Sequence, residues 1–284
     1  MLSLKMLARR ACAGLACLCA SALHAQPEEV QPARQTPVRI VSLNLCTDQL
    51  LLQLVPPERI AALSYLSQDK RSSALHAQAA QLPTVRGNAE EVLALHPDLV
   101  LVGTYTTRHT NAMLRKFGIK VVAIPGANSF EDVRKEIREV AEAVNETLRG
   151  EQLIAHFDHR LAQLLASVSD EKKVAMRYSA GGYTAGSNTL YDAIFEAAGL
   201  ENGARQAKVK GYGRMPMERL IAQRPAIILG SDYKPETPTQ GNRMLTHPAI
   251  KGLHAKDVVL ESRDIVCGGL WNLDAAIQLR AASQ

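Results

Sequence analysis

The sequence predicts an α/β protein of two α/β lobes with largely parallel sheets, joined by one long interlobe helix. Three features of its 284 residues point there. A helix–proline–strand pattern occurs twice, strand and helix periods alternate on both sides of the middle, and a proline-free helical stretch separates the halves.

The repeated pattern is the most informative. Its first copy covers residues 88–103 and its second residues 216–230. In each, a glutamate (Glu90 or Glu218) stands seven residues ahead of a proline (Pro97 or Pro225). Val92, Leu93 and Leu95 give a short helical period in the first copy, Leu220 and Ile221 in the second. The proline ends the helix because it lacks an N–H and restricts the residue before it. The apolar runs at 99–102 and 226–229 then read as strands buried on both faces, as parallel strands are.

The other elements follow in order. Residues 38–43 and 59–63 read as strands around a helix at about 47–54, and 121–124 as a strand after a helix ending near Phe117 and Gly118. In the second half 173–178 opens the pattern, 190–198 is a helix closed by Gly199, and 258–260 is a late strand. Between the halves, Val133, Ile137, Val140, Val144 and Leu148 recur at helical steps, and the pattern resumes after Gly150 with Leu153, Ile154, Phe157, Leu161 and Leu164. Ser129 with Asp132 makes a helix start. One helix of that length spans about 50 Å at ~1.5 Å per residue, with Gly150 as its kink. Such a rod is too long for one lobe.

The expected organisation is a signal peptide (1–25), a flexible leader (26–37), an N-terminal lobe (38–128), a connecting helix (129–167) and a C-terminal lobe (168–284). Lys5, Arg9 and Arg10 precede an uncharged apolar run at 11–22, with cleavage points after Ala22 or Ala25. That run is shorter than the ~20 apolar residues of a membrane anchor, so export to the periplasm is expected. The net charge of +5 includes three positive residues of this segment, and the remaining charges are interspersed. With 4% aromatic residues, this excludes a basic-aromatic nucleic-acid platform. Cys12, Cys17 and Cys19 leave with the signal. Cys46 and Cys267 remain, and an oxidising compartment permits a disulfide, while their spacing equally allows two half-buried thiols.

These features resemble the class III periplasmic binding proteins that serve ferric siderophore, haem and cobalamin importers. The resemblance is carried by residues 39–44, by the run from Asn88 and Glu90 through His96, Pro97 and Asp98, and by the long helix. Tyr183, Gly186, Ser187, Gly199, Asn202 and Cys267-Gly268-Gly269 add to it. It covers nearly all of residues 38–284. Leu270 departs from it, standing where several relatives have proline. The resemblance implies a ligand held between two lobes, a small closure about a stiff helix, and delivery by a monomer to an ABC permease in the inner membrane. It assigns permease docking to Glu90 and Glu218, one per lobe, as matched charges that set register against permease arginines. In the plainer reading both glutamates only stabilise the first turn of a helix.

Open α/β sheets bind ligands beyond the carboxyl ends of their strands. The loops there carry Asn44, Tyr65, Arg86 and Tyr105 in the first half. In the second they carry Arg177, Tyr183, Tyr212, Arg214 and Tyr233, with Trp271 behind the paired glycines. Tyr178 is also placed in this group. Tyrosine offers a flat apolar face with a polar tip, and arginine offers planar hydrogen bonding and stacking. The set suits a bulky anionic metal chelate, a ferric siderophore first, with a corrinoid or haem as the alternative. Tyr65 or Tyr105 could serve haem as an axial ligand.

No cofactor and no resident metal are expected. His156 and His159 lie on the connecting helix, the other histidines are scattered, and no CxxC occurs. No catalytic residue is expected either. Residues 181–186 fit neither a phosphate loop nor a dinucleotide fingerprint, and Ser42, Ser64 and Ser187 lie in no nucleophile elbow. A periplasmic α/β hydrolase or transferase is the runner-up reading.

Overall fold

The structure, a computed structural model, describes residues 36–105, 108–168, 171–230 and 244–284. The expected signal segment, most of the leader and Tyr233 lie outside them. Among the described residues no helix is long and apolar enough to cross a membrane.

The first lobe is a five-stranded parallel sheet. Its strands are β1 (Ile40–Ser42), β2 (Ile60–Ser64), β3 (Thr84–Val85), β4 (Leu99–Gly103) and β5 (Lys120–Ile124), in the order β3-β2-β1-β4-β5. The helices between them are α1 (Leu45–Leu54), α2 (His76–Ala79), α3 (Ala89–Ala94) and α4 (Arg108–Lys116). Every residue of β4 is buried, as its unbroken apolar run requires of a strand covered on both faces.

Next come two helices, α5 (Phe130–Ala143) and α6 (Thr147–Leu165), where the sequence suggests one. They lie antiparallel: Arg134 pairs with Asp158 at 2.7 Å and Arg138 with Glu151 at 2.9 Å. Asn145 takes a left-handed backbone (φ 60°) and turns the chain between them. Arg59 holds the turn by hydrogen bonds to the Val144 carbonyl and the Glu146 carboxylate. Gly150 is therefore no kink. A Cβ there would stand 2.5 Å from that of Ala141, so glycine lets the two helices touch. The helical period continues through both helices because each buries its own apolar stripe, and a period alone does not distinguish a rod from a hairpin. The 19-residue α6, about 28 Å long at ~1.5 Å per residue, is the helix that joins the lobes.

The second lobe begins with β6 (Val174–Arg177) and β7 (Tyr183–Ala185), followed by α7 (Leu190–Ala197), β8 (Glu201–Asn202) and α8 (Gly203–Gln206). Then come β9 (Tyr212–Arg214), α9 (Met217–Gln223), β10 (Ile227–Gly230), α10 (Pro248–Lys251), β11 (Lys256–Val259) and α11 (Trp271–Ser283). The main sheet is parallel with the order β11-β10-β6-β8, while β7 and β9 form a separate antiparallel pair. That pair has no counterpart in the sequence-based reading.

The repeat is real in three dimensions. α3 leads into β4 and α9 into β10, each an inner strand of its sheet. In both copies the residue before the proline is left-handed, His96 at φ 46° and Arg224 at φ 45°. Proline disfavours right-handed helix in its predecessor, so the same exit is used twice. One apolar cluster runs from Ile40, Leu51 and Leu99 through Ile137 and Phe157 to Leu190, Ile227 and Leu273, so the helical hairpin packs on both lobes.

Candidate ligand-binding site

The carboxyl ends of the parallel strands carry most of the residues singled out by sequence. Tyr65 follows β2 and Arg86 follows β3, and the Arg86 guanidinium sits over the Tyr65 ring at 5.3 Å. Tyr105 follows β4, with Arg108 of α4 over it at 5.9 Å. In the second lobe Arg177, the last residue of β6, lies over Tyr191 at 5.1 Å, and Tyr191 meets Tyr212 edge-on at 6.3 Å. Tyr183 and Arg214 are directly opposite across β7 and β9. Their side chains stack at 4.5 Å, and the guanidinium donates to the phenol oxygen at 2.7 Å.

Some other surface arginines are neutralised by acids: Arg134 by Asp158, Arg160 by Asp274, Arg263 by Glu261. Among the described residues the guanidinium groups of Arg86, Arg108, Arg177 and Arg214 form no ion pair with a carboxylate, although the Arg86 backbone amide donates to Glu91. A tyrosine face holds a guanidinium by cation–π attraction without using up its planar N–H fork. Each lobe thus presents oriented, uncompensated positive charge beside exposed aromatic rings, an arrangement able to bind a planar or anionic group. Arg108 and Tyr191 were missed by sequence. Tyr191 sits in the first turn of α7 and reads as core, and only the neighbouring tyrosine and arginine in space give it a site position.

Three expected residues are placed otherwise. Asn44 caps α1, its Oδ1 accepting from the Cys46 and Thr47 amides at 3.0 and 3.4 Å, while it also lines a cavity at this rim. Tyr178 is buried and donates to the Met215 carbonyl at 3.1 Å. Trp271 is 6% exposed, packs against Leu45 and Cys267, and donates its indole N–H to the Cys267 carbonyl at 2.7 Å. The only tryptophan is a structural residue, because its one polar group is satisfied inside the protein.

Cys46 and Cys267 form a disulfide with Cα atoms 5.1 Å apart. It links the first turn of α1 to the loop before α11. Around it, Gly268 presses on α5 so closely that a Cβ would stand 2.5 Å from Val133. Asn272 fixes the same loop, accepting from the Gly269 amide at 2.8 Å and donating to the Cys267 carbonyl at 3.0 Å. The two lobes are therefore tied at the carboxyl end of β1.

Glu90 and Glu218 occupy matching second positions in α3 and α9. Both are exposed, and among the described residues neither makes a hydrogen bond or ion pair. Their neighbour Glu91, by contrast, accepts from the Arg86 amide at 3.0 Å. α3 opens four residues after the end of β3, at the carboxyl edge of the first sheet. Glu218 is near enough to Tyr178, just past β6, to raise the phenol pKa, though burial of Tyr178 is the larger cause. Among the described residues no cluster of three or more His, Cys, Asp or Glu is placed to hold a metal ion.

A cobalamin-binding protein of Halobacterium salinarum is 26% identical over 197 residues, which are 68% of this chain and 53% of that protein. The chain spans about half the length of the curated relatives it matches. Among solved structures, a possible iron-binding protein of Staphylococcus epidermidis superposes with a TM-score of 0.71 at 19% identity, over 87% of this chain and 99% of that one. The periplasmic heme-binding protein HutB of Vibrio cholerae gives 0.71 at 22% identity, over 86% and 98%. At these identities the two structures share the fold. The family model described as periplasmic binding protein matches residues 40–256, and the chain belongs to that family.

Proposed function

We propose that this chain is the cargo-binding component of an ABC importer, working in the periplasm after removal of its leader. It holds a bulky anionic metal chelate, a ferric siderophore first, against the carboxyl rims of its two sheets. It then presents Glu90 and Glu218 to the permease in the inner membrane. The observation that carries the reading is the set of tyrosine-stacked guanidinium groups without ion pairs on both lobes, three of them at the ends of parallel strands, where such sheets bind ligands, and the fourth on the adjoining β7–β9 pair. Family membership supports binding rather than catalysis. A second reading, a corrinoid or haem as cargo, is favoured by the aromatic wall of Tyr191 and Tyr212 and by the cobalamin- and heme-binding relatives.

The test is a calorimetric screen of the protein against a ferric tris-catecholate, cyanocobalamin and haemin. The expected result is one-to-one binding of the ferric chelate in preference to the other two. A preference for cyanocobalamin or haemin moves the cargo to the second reading, and no binding of any of them contradicts the proposal.

A further inference from the structure

Beside Tyr105 of the first lobe lies a cavity of about 160 Å³, between α1 and α5 where β1, β4 and β5 end. A single water needs only about 10–15 Å³, so there is room for a substituent of several heavy atoms. The cavity opens beside Tyr105, and Leu50, Ile124 and Cys46 give it mostly apolar walls. Part of the polar lining is engaged internally. Asn44 accepts from two amides, and Thr47 Oγ1 donates to the Asn44 carbonyl at 2.9 Å. The ionisable group in the lining besides Tyr105 is Glu136, which is 3% exposed, with Gly268 of the other lobe against its Oε2.

Glu136 has an unusual environment for an acid. Burial is the main influence and raises its pKa; Asp132 and Glu139 on the same helix add to the rise, and a hydrogen bond from the Ala127 amide opposes it. The carboxyl titrates at about 8 and so keeps its proton at neutral pH. Among the described residues no cation pairs with it and no acceptor receives its O–H.

We propose that this cavity receives one uncharged, acceptor-bearing arm of the cargo, a carboxamide above all, hydrogen-bonded to the Glu136 carboxyl. The inference rests on the reading of this rim as the cargo site and adds what the cargo carries at its periphery. A carboxamide oxygen accepts from the acid O–H, while its NH₂ donates to the other carboxyl oxygen. An anionic arm would bury its charge among apolar walls beside an acid, which is costly. A cationic arm would have to pass Arg108, stacked on Tyr105 at the mouth. Of the cargo classes named above, corrinoids carry carboxamide arms around the ring and haem carries carboxylates, so this inference points to the corrinoid of the second reading rather than to the ferric siderophore.

The test uses three small probes of one size, propionamide, propionate and propylammonium, titrated into cargo-free protein with the Leu50 and Ile124 methyl resonances as reporters. The amide is expected to saturate these shifts at a concentration at least ~10-fold below that of either ion, reflecting the cost of burying charge. Glu136→Gln, neutral and still a donor, is expected to retain amide binding, and Glu136→Leu to lose it. Equal response to all three probes, no response at those methyls, or undiminished amide binding by Glu136→Leu overturns the proposal. The wild-type comparison holds whether or not the variants fold. Because no large cargo is used, failure here leaves the cargo reading standing, and failure of that reading leaves this result readable.

Discussion

Breaking the Cys46–Cys267 disulfide should cost this protein a large share of its stability. The bond closes a loop with a sequence separation of 221 residues, nearly the whole described chain. A cross-link of that span removes about 18 cal/mol/K of chain entropy from the unfolded state, or about 5 kcal/mol at 25 °C. The folded state loses little else, because Leu45, Trp271 and the Asn272 hydrogen bonds hold the same loop without the sulfur link. For a chain of this size that predicts a fall in Tm of about 10–20 °C. The assay is urea unfolding followed by circular dichroism, before and after reduction with a phosphine, with thiol titration showing two additional free thiols. The Cys46→Ser, Cys267→Ser double variant serves as an independent check. A steeper denaturant dependence should accompany the loss, since an unlinked chain exposes more surface. A loss below about 1 kcal/mol with both thiols titrated would refute the reasoning, which makes the disulfide a constraint on the unfolded chain.

Three further outcomes follow from the geometry. Replacing Glu90 and Glu218 together by alanine should leave cargo affinity unchanged, because neither carboxylate touches the stacked arginines, and should abolish cargo uptake by cells; surviving uptake removes them from docking. Trp271→Phe should lower stability by about 1–2 kcal/mol, by loss of a buried hydrogen bond that leaves the Cys267 carbonyl with the Asn272 amide alone. The same variant should leave cargo affinity unaltered in a parallel titration. Asp48 is buried, and desolvation lifts its pKa from 3.8 to about 7 against the opposing hydrogen bonds of Ser42 and Ser64. Its folded pKa lies above the unfolded value, so its contribution is full below pH 3.8 and is lost as pH rises through about 7. Each such group contributes a slope of about 1.4 kcal/mol per pH unit in that window. Asp48→Asn should therefore flatten the fall in urea midpoint between pH 4.5 and 7, and an unchanged slope would show that the carboxyl ionises freely in the fold.

The parts of the fold legible in sequence were those fixed by local rules. Pro97 and Pro225 end short helices and introduce buried strands, and the apolar run of β4 has the composition of a strand covered on both faces. The helical hairpin was not legible, because one period of 3.6 runs through both helices. The available signal was Asn145, a residue type that tolerates the left-handed conformation and often ends helices. The strand-end rule put Tyr65, Arg86, Tyr105 and Arg177 where the structure has them, at or just past the ends of parallel strands, whereas Tyr183, Tyr212 and Arg214 lie in the antiparallel β7–β9 pair that it did not foresee. It could not tell exposed rings from buried ones, so Tyr178 and Trp271 were grouped with residues they do not join. Which arginine stacks on which tyrosine, and that Cys46 meets Cys267, are long-range facts that sequence spacing does not encode.

The most direct measurement of the central claim is the affinity of Arg86→Gln, Arg177→Gln and Arg214→Gln proteins for the cargo that the wild type binds, titrated at low and moderate salt. Each variant removes a charged hydrogen-bond donor while leaving the neighbouring tyrosine in place. The account predicts a loss of about 10- to 100-fold for each, the range of a charge-assisted hydrogen bond, with wild-type binding weakened by salt. Wild-type affinity in all three variants would contradict it.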